Sequence, residues 1–263
     1  MDLRGRTVLL TGATGGIGHA IALALHREGA ELLLTGRRTD VLEPLAAQTG
    51  GRAIACDLGD PAAVDRLAAE CAHADVLVAN AALPASGTLA SFSNAELDAA
   101  LDVNLRAPIV LTRALLEGWT SRGSGHAVFI ASMAGKVATR GSSVYSATKF
   151  GLRGFAQCLR QDLHGTAIGV STIFPGFIRD AGMFAKSGAK LPAGVGTRSP
   201  DDVAAAVVKA IESDEGEVDV APLGLRVGAF VGGIAPGVSG TVQRWLGSEK
   251  VADEVATGQR GKT

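Results

Sequence analysis

Cysteine, tyrosine and runs of like charge are all scarce in this chain. Cys56, Cys71 and Cys158 are the only cysteines, with no Cys-x-x-Cys spacing and no histidine cluster beside them. A disulfide framework or a zinc site is thereby excluded as the organising principle, and no metal is expected. Free thiols fit a reducing compartment, so a cytoplasmic location is expected. The 25 basic and 26 acidic residues leave a formal net charge of −1 and form no long run, which argues against nucleic acid as a partner. No apolar run reaches the roughly eighteen residues that a spanning helix needs. Asp2, Arg4 and Arg6 break the N-terminus before any long apolar run, so no signal peptide is expected to begin here.

What is present points to a globular α/β protein. Apolar residues make up 47% of the 263 and charged residues 19%, ample for a large core and too apolar for disorder. Short apolar runs alternate with helical stretches. Val8–Leu10, Leu32–Leu34, Ala53–Cys56, Val76–Val78, Ala127–Ala131, Ile168–Phe174 and Val218–Val220 read as strands. The spacing predicts helices over 17–28, 39–48, 94–119 with a kink at Pro108, 143–163 and 200–213. Such alternation specifies a parallel sheet with helices on both faces. One domain is expected over residues 1–247. Within it, 181–197 reads as a mobile substrate loop and 224–247 as an apolar C-terminal extension. The polar tail, 248–263, is expected to be disordered.

The first strand runs into Thr11-Gly12-Ala13-Thr14-Gly15-Gly16-Ile17-Gly18. A glycine-rich turn into a helix lets backbone approach a pyrophosphate, and the helix N-terminus supplies unpaired N–H groups and a favourable dipole. On this reading side chains at Gly12 or Gly16 would crowd a ligand, and Gly18 would let the helix pack on the sheet. The alternative is a glycine-rich turn with no ligand.

The single tyrosine, Tyr145, has Lys149 four residues after it and Ser132 thirteen before. Residues i and i+4 share a helix face. A cation beside a phenol lowers its pKa, which suits a general acid or base near neutral pH. The alternative is a surface lysine beside a half-buried tyrosine.

Together these features resemble the short-chain dehydrogenase/reductase family. The resemblance rests on Thr11-Gly-x-x-x-Gly-Ile-Gly18, Asp57, Asn80-Ala81-Ala82, Asn104, Ser132, Tyr145-x-x-x-Lys149 and Pro175-Gly176, in that order. It implies a Rossmann-type, doubly wound parallel sheet of seven strands in the order 3-2-1-4-5-6-7. It also implies hydride transfer between a nicotinamide and a ketone or secondary alcohol. Tyr145 would exchange the proton and Ser132 would hold the substrate oxygen. Lys149 would lower the Tyr145 pKa and bind ribose hydroxyls, while Asn104 would position a water as a proton relay. The implied cofactor contacts are Gly12, Thr14, Gly15, Gly16, Ile17, Gly18, Arg37, Arg38, Asp57, Leu58, Asn80, Ala81, Ala82, Tyr145, Lys149, Pro175, Gly176 and Ile178.

Gly36 stands where an acid would select NAD, and Arg37 follows, so NADP is expected over NAD. Leu83, Met133, Val137, Phe177, Met183 and Phe184 are expected to line the substrate site, fitting an apolar or moderately polar carbonyl compound. The C-terminus departs from the glycine-rich strand of fatty-acid-synthesis ketoacyl reductases, so that role is not expected. The 224–247 segment is expected to act as a lid or part of the core, with a dimer contact or surface association with a membrane as alternatives. A homodimer or homotetramer is implied, through the helices at 94–119 and 143–163. The competing readings are a non-catalytic dinucleotide-binding regulator on the same fold, and a dehydratase or epimerase.

Overall fold

The computed structural model describes residues 1–189, 191, 195–234 and 258. The elements in chain order are β1 (Thr7–Thr11), α1 (Gly16–Arg27), β2 (Glu31–Gly36), α2 (Thr39–Thr49), β3 (Arg52–Ala55), α3 (Pro61–Glu70) and β4 (Val76–Ala79). There follow α4 (Asn94–Leu101), α5 (Ala107–Arg122), β5 (Gly125–Ile130), α6 (Ser143–Asp162), β6 (Ile168–Pro175), α7 (Gly182–Ser187), α8 (Pro200–Ser213), β7 (Glu217–Val220) and α9 (Leu223–Ile234). The seven strands form one parallel sheet in the order β3-β2-β1-β4-β5-β6-β7, the order that the resemblance implied.

Alternation along each strand divides the core in two. Val8, Leu10, Leu32, Leu34, Val76 and Val78 face one side, where they meet Ile21 and Leu25 of α1 and Val203 and Val207 of α8. Leu9, Leu33, Leu77, Ala127 and Phe129 face the other, against Leu67 of α3, Leu115 and Trp119 of α5 and Leu152 of α6. Both sheet faces are covered, which is why these strands read as unbroken apolar runs.

Three elements differ from the sequence expectation. The helix expected over 94–119 is two helices joined by a wide turn of π-helix, Asp102–Arg106. The chain stays helical through this turn, and Pro108 follows it directly, so the wide turn lies just before the proline. The loop expected at 181–197 contains α7, and Ile178 bridges to Arg198 across it; residues 190 and 192–194 lie outside the described residues. The apolar extension expected at 224–247 begins as the helix α9. Its remainder, 235–247, lies outside the described residues, as does the tail 248–263 apart from residue 258.

Candidate active site

The parallel topology brings every strand's carboxyl end to one edge, and the turns after β1, β4 and β5 meet there. Gly12, at φ +67°, carries the chain out of β1 in a left-handed conformation. A Cβ on Gly12 would lie 2.7 Å from Ala81 Cα, and one on Gly18 2.2 Å from the Gly12 carbonyl oxygen. Gly16 is similarly restricted, by Ala181 Cβ at 2.6 Å. The backbone's own packing therefore already requires glycine at 12 and 18, and the Ala181 methyl restricts position 16, before any ligand crowding. Asn80 fixes the turn by donating from Nδ2 to the carbonyls of Thr11 (3.0 Å) and Gly12 (3.1 Å). The Thr11 hydroxyl accepts from the N–H groups of Asn80 and Ala81, both at 3.1 Å. No side chain caps α1, and its first turn holds no acidic residue. Its N-terminal N–H groups and dipole thus suit an anion.

Beyond β2, a Cβ on Gly36 would lie 2.9 Å from Thr14 Cγ2, so an acid cannot enter there without displacing Thr14. Arg38 donates to the Thr14 carbonyl. Arg37 is exposed and makes no hydrogen bond or ion pair among the described residues. Asp57 Oδ1 accepts from Gly59 N–H at 3.0 Å, while Asp60 caps α3. The Asp57 carboxylate is exposed, and its second oxygen has no hydrogen-bond partner among the described residues.

Ser132 follows β5, and its Oγ accepts from Ala134 N–H at 3.1 Å. It stands close enough to the Tyr145 phenol to hydrogen-bond it and draw its pKa down. Burial outweighs this and pushes the Tyr145 pKa up to about 12. Lys149 is 2% exposed. Its Nζ donates to the Ile130 carbonyl at 2.9 Å and lies 5.7 Å from the Tyr145 ring centre. Burial pushes its pKa down to about 8. Asn104 lies in the π-turn, fully buried. Its Oδ1 accepts from Leu83 N–H at 2.7 Å, and its Nδ2 donates to the Leu83 carbonyl at 3.0 Å. A longer contact of 3.4 Å reaches Thr148 Oγ1, whose hydroxyl donates to the Tyr145 carbonyl at 2.7 Å. Asn104 thus ties the loop after β4 to the helix bearing Tyr145.

The short chain dehydrogenase family profile matches residues 6–192. The chain belongs to that family. It is an oxidoreductase of the class that interconverts CH–OH and C=O groups, and its relatives bind nicotinamide dinucleotides. It is similar to ketoacyl reductase HetN of Nostoc sp., 37% identical over 93% of this chain and 90% of that protein. Among solved structures it is similar to a short-chain dehydrogenase from Sphingobium yanoikuyae in complex with NADPH, at TM-score 0.77 and 27% identity over 89% of this chain and 95% of that one. It is also similar to a serine dehydrogenase complexed with NADP+, at TM-score 0.74 and 30% identity over 83% and 95% of the two chains.

The fold brings the dehydrogenase's Ser132, Tyr145, Lys149 and Asn104 to one place, beside Gly12–Gly18 and Asn80–Ala82. Several details depart from expectation. The Tyr145 pKa is raised, not lowered, because Lys149 points at the Ile130 carbonyl and burial dominates. The Asn104 amide pairs with the N–H and carbonyl of Leu83. Met133 is buried with Phe174, Ala221 and Ala229, so it supports the site from the core. Ile178 is likewise in the core, leaving only its backbone to meet a ligand. Leu83, Val137, Phe177, Met183 and Phe184 remain partly open, and Phe177 and Phe184 pack with ring centres 4.9 Å apart.

Lys136 went unread in the sequence. It closes the Ser132 turn by reaching Asp219 (2.6 Å) and Glu217 (3.1 Å) on β7, with its Nζ 3.9 Å above the Phe174 ring. Its partners lie more than eighty positions along the chain, so no local signal marks it.

Proposed function

We propose that this dehydrogenase transfers hydride between NADP(H) and a ketone or secondary alcohol on an apolar or moderately polar small molecule, with Tyr145 as general acid or base. The observation that carries this reading is the grouping of Ser132, Tyr145 and Lys149 beside an uncapped, acid-free helix N-terminus. The residues around that turn fit a dinucleotide. The α1 N-terminus would take the pyrophosphate, Asp57 the adenine amino group, and Lys149 the nicotinamide ribose hydroxyls. When bound, the nicotinamide supplies or accepts the hydride.

The chain's own residues manage the proton. At a pKa of about 12, the Tyr145 phenol holds its proton at neutral pH and donates it to the carbonyl oxygen during reduction. Ser132 donates a hydrogen bond to that oxygen and fixes its position. Lys149, charged below its pKa of about 8, is held by the Ile130 carbonyl, from where it would meet the ribose hydroxyls.

Gly36 and the exposed Arg37 support NADP(H) over NAD(H), since a guanidinium can pair bidentately with a 2′-phosphate. A ketoacyl compound is the first substrate class to try. The Nostoc relative named a ketoacyl reductase extends over 93% of this chain, which weighs against the doubt drawn from the C-terminus. A homodimer or homotetramer is part of the proposal. Leu101 on α4 and Phe150 on α6 are exposed large apolar residues on the helices expected to pair, and a monomer in light scattering refutes it.

Titration with NADPH and NADH, followed by nicotinamide fluorescence, tests the cofactor. NADPH is expected to bind more tightly, and Arg37→Ala to weaken it roughly tenfold or more while leaving NADH little changed, since a hydrogen bond to a charged group is worth about 1.5–3 kcal/mol. Binding of neither nucleotide refutes the reading.

A further inference from the structure

The turn that carries Ser132 is fastened at its far end by its only charged side chain, Lys136. Within Ser132-Met133-Ala134-Gly135-Lys136, Gly135 N–H donates to the Ser132 carbonyl at 2.8 Å and Lys136 N–H to the Met133 carbonyl at 2.9 Å. Ser132 Oγ accepts from Ala134 N–H, which leaves its own proton to donate towards the Tyr145 phenol or a substrate oxygen. The turn lies close on α6, where a Cβ on Gly135 would stand 2.8 Å from the Lys149 carbonyl oxygen. A turn this tight moves as a unit, so whatever holds Lys136 sets the place of Ser132.

Two carboxylates of β7 hold it. Lys136 Nζ lies 2.6 Å from Asp219 Oδ1 and 3.1 Å from Glu217 Oε2, on a side chain only 15% exposed. Ion pairs so far withdrawn from water interact more strongly than surface pairs. Glu217 also grips α6. Its Oε1 accepts from Arg153 Nε at 2.7 Å and from Gln157 Nε2 at 2.8 Å. Tyr145, Lys149, Arg153 and Gln157 follow one another at four-residue steps along that helix. One carboxylate on the edge strand of the sheet therefore tethers both the turn bearing Ser132 and the helix bearing Tyr145.

We propose that Lys136 is a positioning residue: gripped by Glu217 and Asp219, it fixes the Ser132 hydroxyl against the Tyr145 phenol. The inference rests on the proton transfer proposed above for Tyr145. Lys136 acts through Ser132, and a misplacement of about 1 Å can cost roughly a hundredfold in rate.

Tyr145 is the only tyrosine in the chain, so isotope-labelled tyrosine gives one phenol-carbon resonance, readable without cofactor or substrate. Lys136→Met suits the test because Glu217 keeps Arg153 and Asp219 keeps Arg226. It is expected to move the resonance in the direction that Ser132→Ala moves it, and Lys136→Arg to restore most of the wild-type position. In NADPH oxidation with acetoacetyl-coenzyme A or a simple apolar ketone, whichever the wild type reduces, Lys136→Met should lower kcat about tenfold or more. KM and the NADPH Kd should stay within about twofold. On a Ser132→Ala background the same substitution should cost less than about twofold, since the hydroxyl it positions is gone. An unmoved resonance overturns the proposal. So does the full tenfold loss on the Ser132→Ala background. A wild type that reduces no ketone, with the resonance moving as expected, refutes the reaction and upholds the tether. If Lys136→Met does not fold, Glu217→Gln is read by the same two measurements with the same expectations.

Discussion

Acid should destabilise this protein through one histidine, well before its carboxylates protonate. His126 is buried in β5, and Nε2 lies 2.8 Å from Ser171 Oγ. The Ser171 hydroxyl in turn donates to the Ala210 carbonyl at 3.4 Å, which leaves it to accept from a neutral imidazole N–H. Burial lowers the His126 pKa from 6.5 to about 4, with Asp214 opposing the shift only partly. Between those values the unfolded chain binds a proton that the folded chain refuses. The stabilisation is therefore complete above pH 6.5 and is lost as pH falls towards 4. At about 1.4 kcal/mol per pH unit the loss amounts to about 3 kcal/mol, a large part of the margin of an ordinary domain. Urea unfolding at pH 7.5 and pH 4.5, for wild type and His126→Gln, measures it. The wild type should lose about 3 kcal/mol more than the variant across that interval. The carboxylates whose pKa values are held down in the fold, Asp202 and Glu217 among them, begin to weaken it near the lower pH in both proteins alike, so the difference isolates His126. Parallel losses in the two proteins would refute the reasoning.

Two further outcomes follow from the site geometry. Asn104→Ala removes the buried amide that pairs with both the N–H and the carbonyl of Leu83, and should cost about 2–4 kcal/mol in urea unfolding; a cost under about 0.5 kcal/mol would show that the clamp is dispensable. Gly36→Asp crowds Thr14 and sets a carboxylate near the place assigned to the 2′-phosphate; NADPH affinity should fall by roughly tenfold to a hundredfold relative to NADH, and an unchanged ratio would contradict the placement.

The strands were legible because both sheet faces are covered, so their sequences are nearly unbroken apolar runs. Sheet order came from the family resemblance, since no local pattern encodes which strands pair. Tyr145 and Lys149 were legible as a pair because one helix carries both. The sign of the Tyr145 shift was not, since it depends on how deeply the fold buries the phenol and on Lys149 finding the Ile130 carbonyl. Pro108 drew attention to the bend between α4 and α5, yet the break lies earlier, where Asn104 reaches Leu83. Helix α9 was obscured by its glycines, which are poor helix formers. Gly232 lies on its buried side, and Ala229 packs closely against Ala221 and Phe174. Lys136 was invisible because its acidic partners on β7 are brought to it only by the completed sheet.

The central claim is proton transfer by Tyr145 in an NADPH-dependent reduction. NADPH oxidation in the presence of ketoacyl thioesters and simple apolar ketones, for wild type and Tyr145→Phe, tests it most directly. The account predicts turnover by the wild type. In the variant it predicts a loss of roughly a hundredfold to ten-thousandfold in kcat, with the NADPH Kd unchanged. A variant that turns over at the wild-type rate would contradict it.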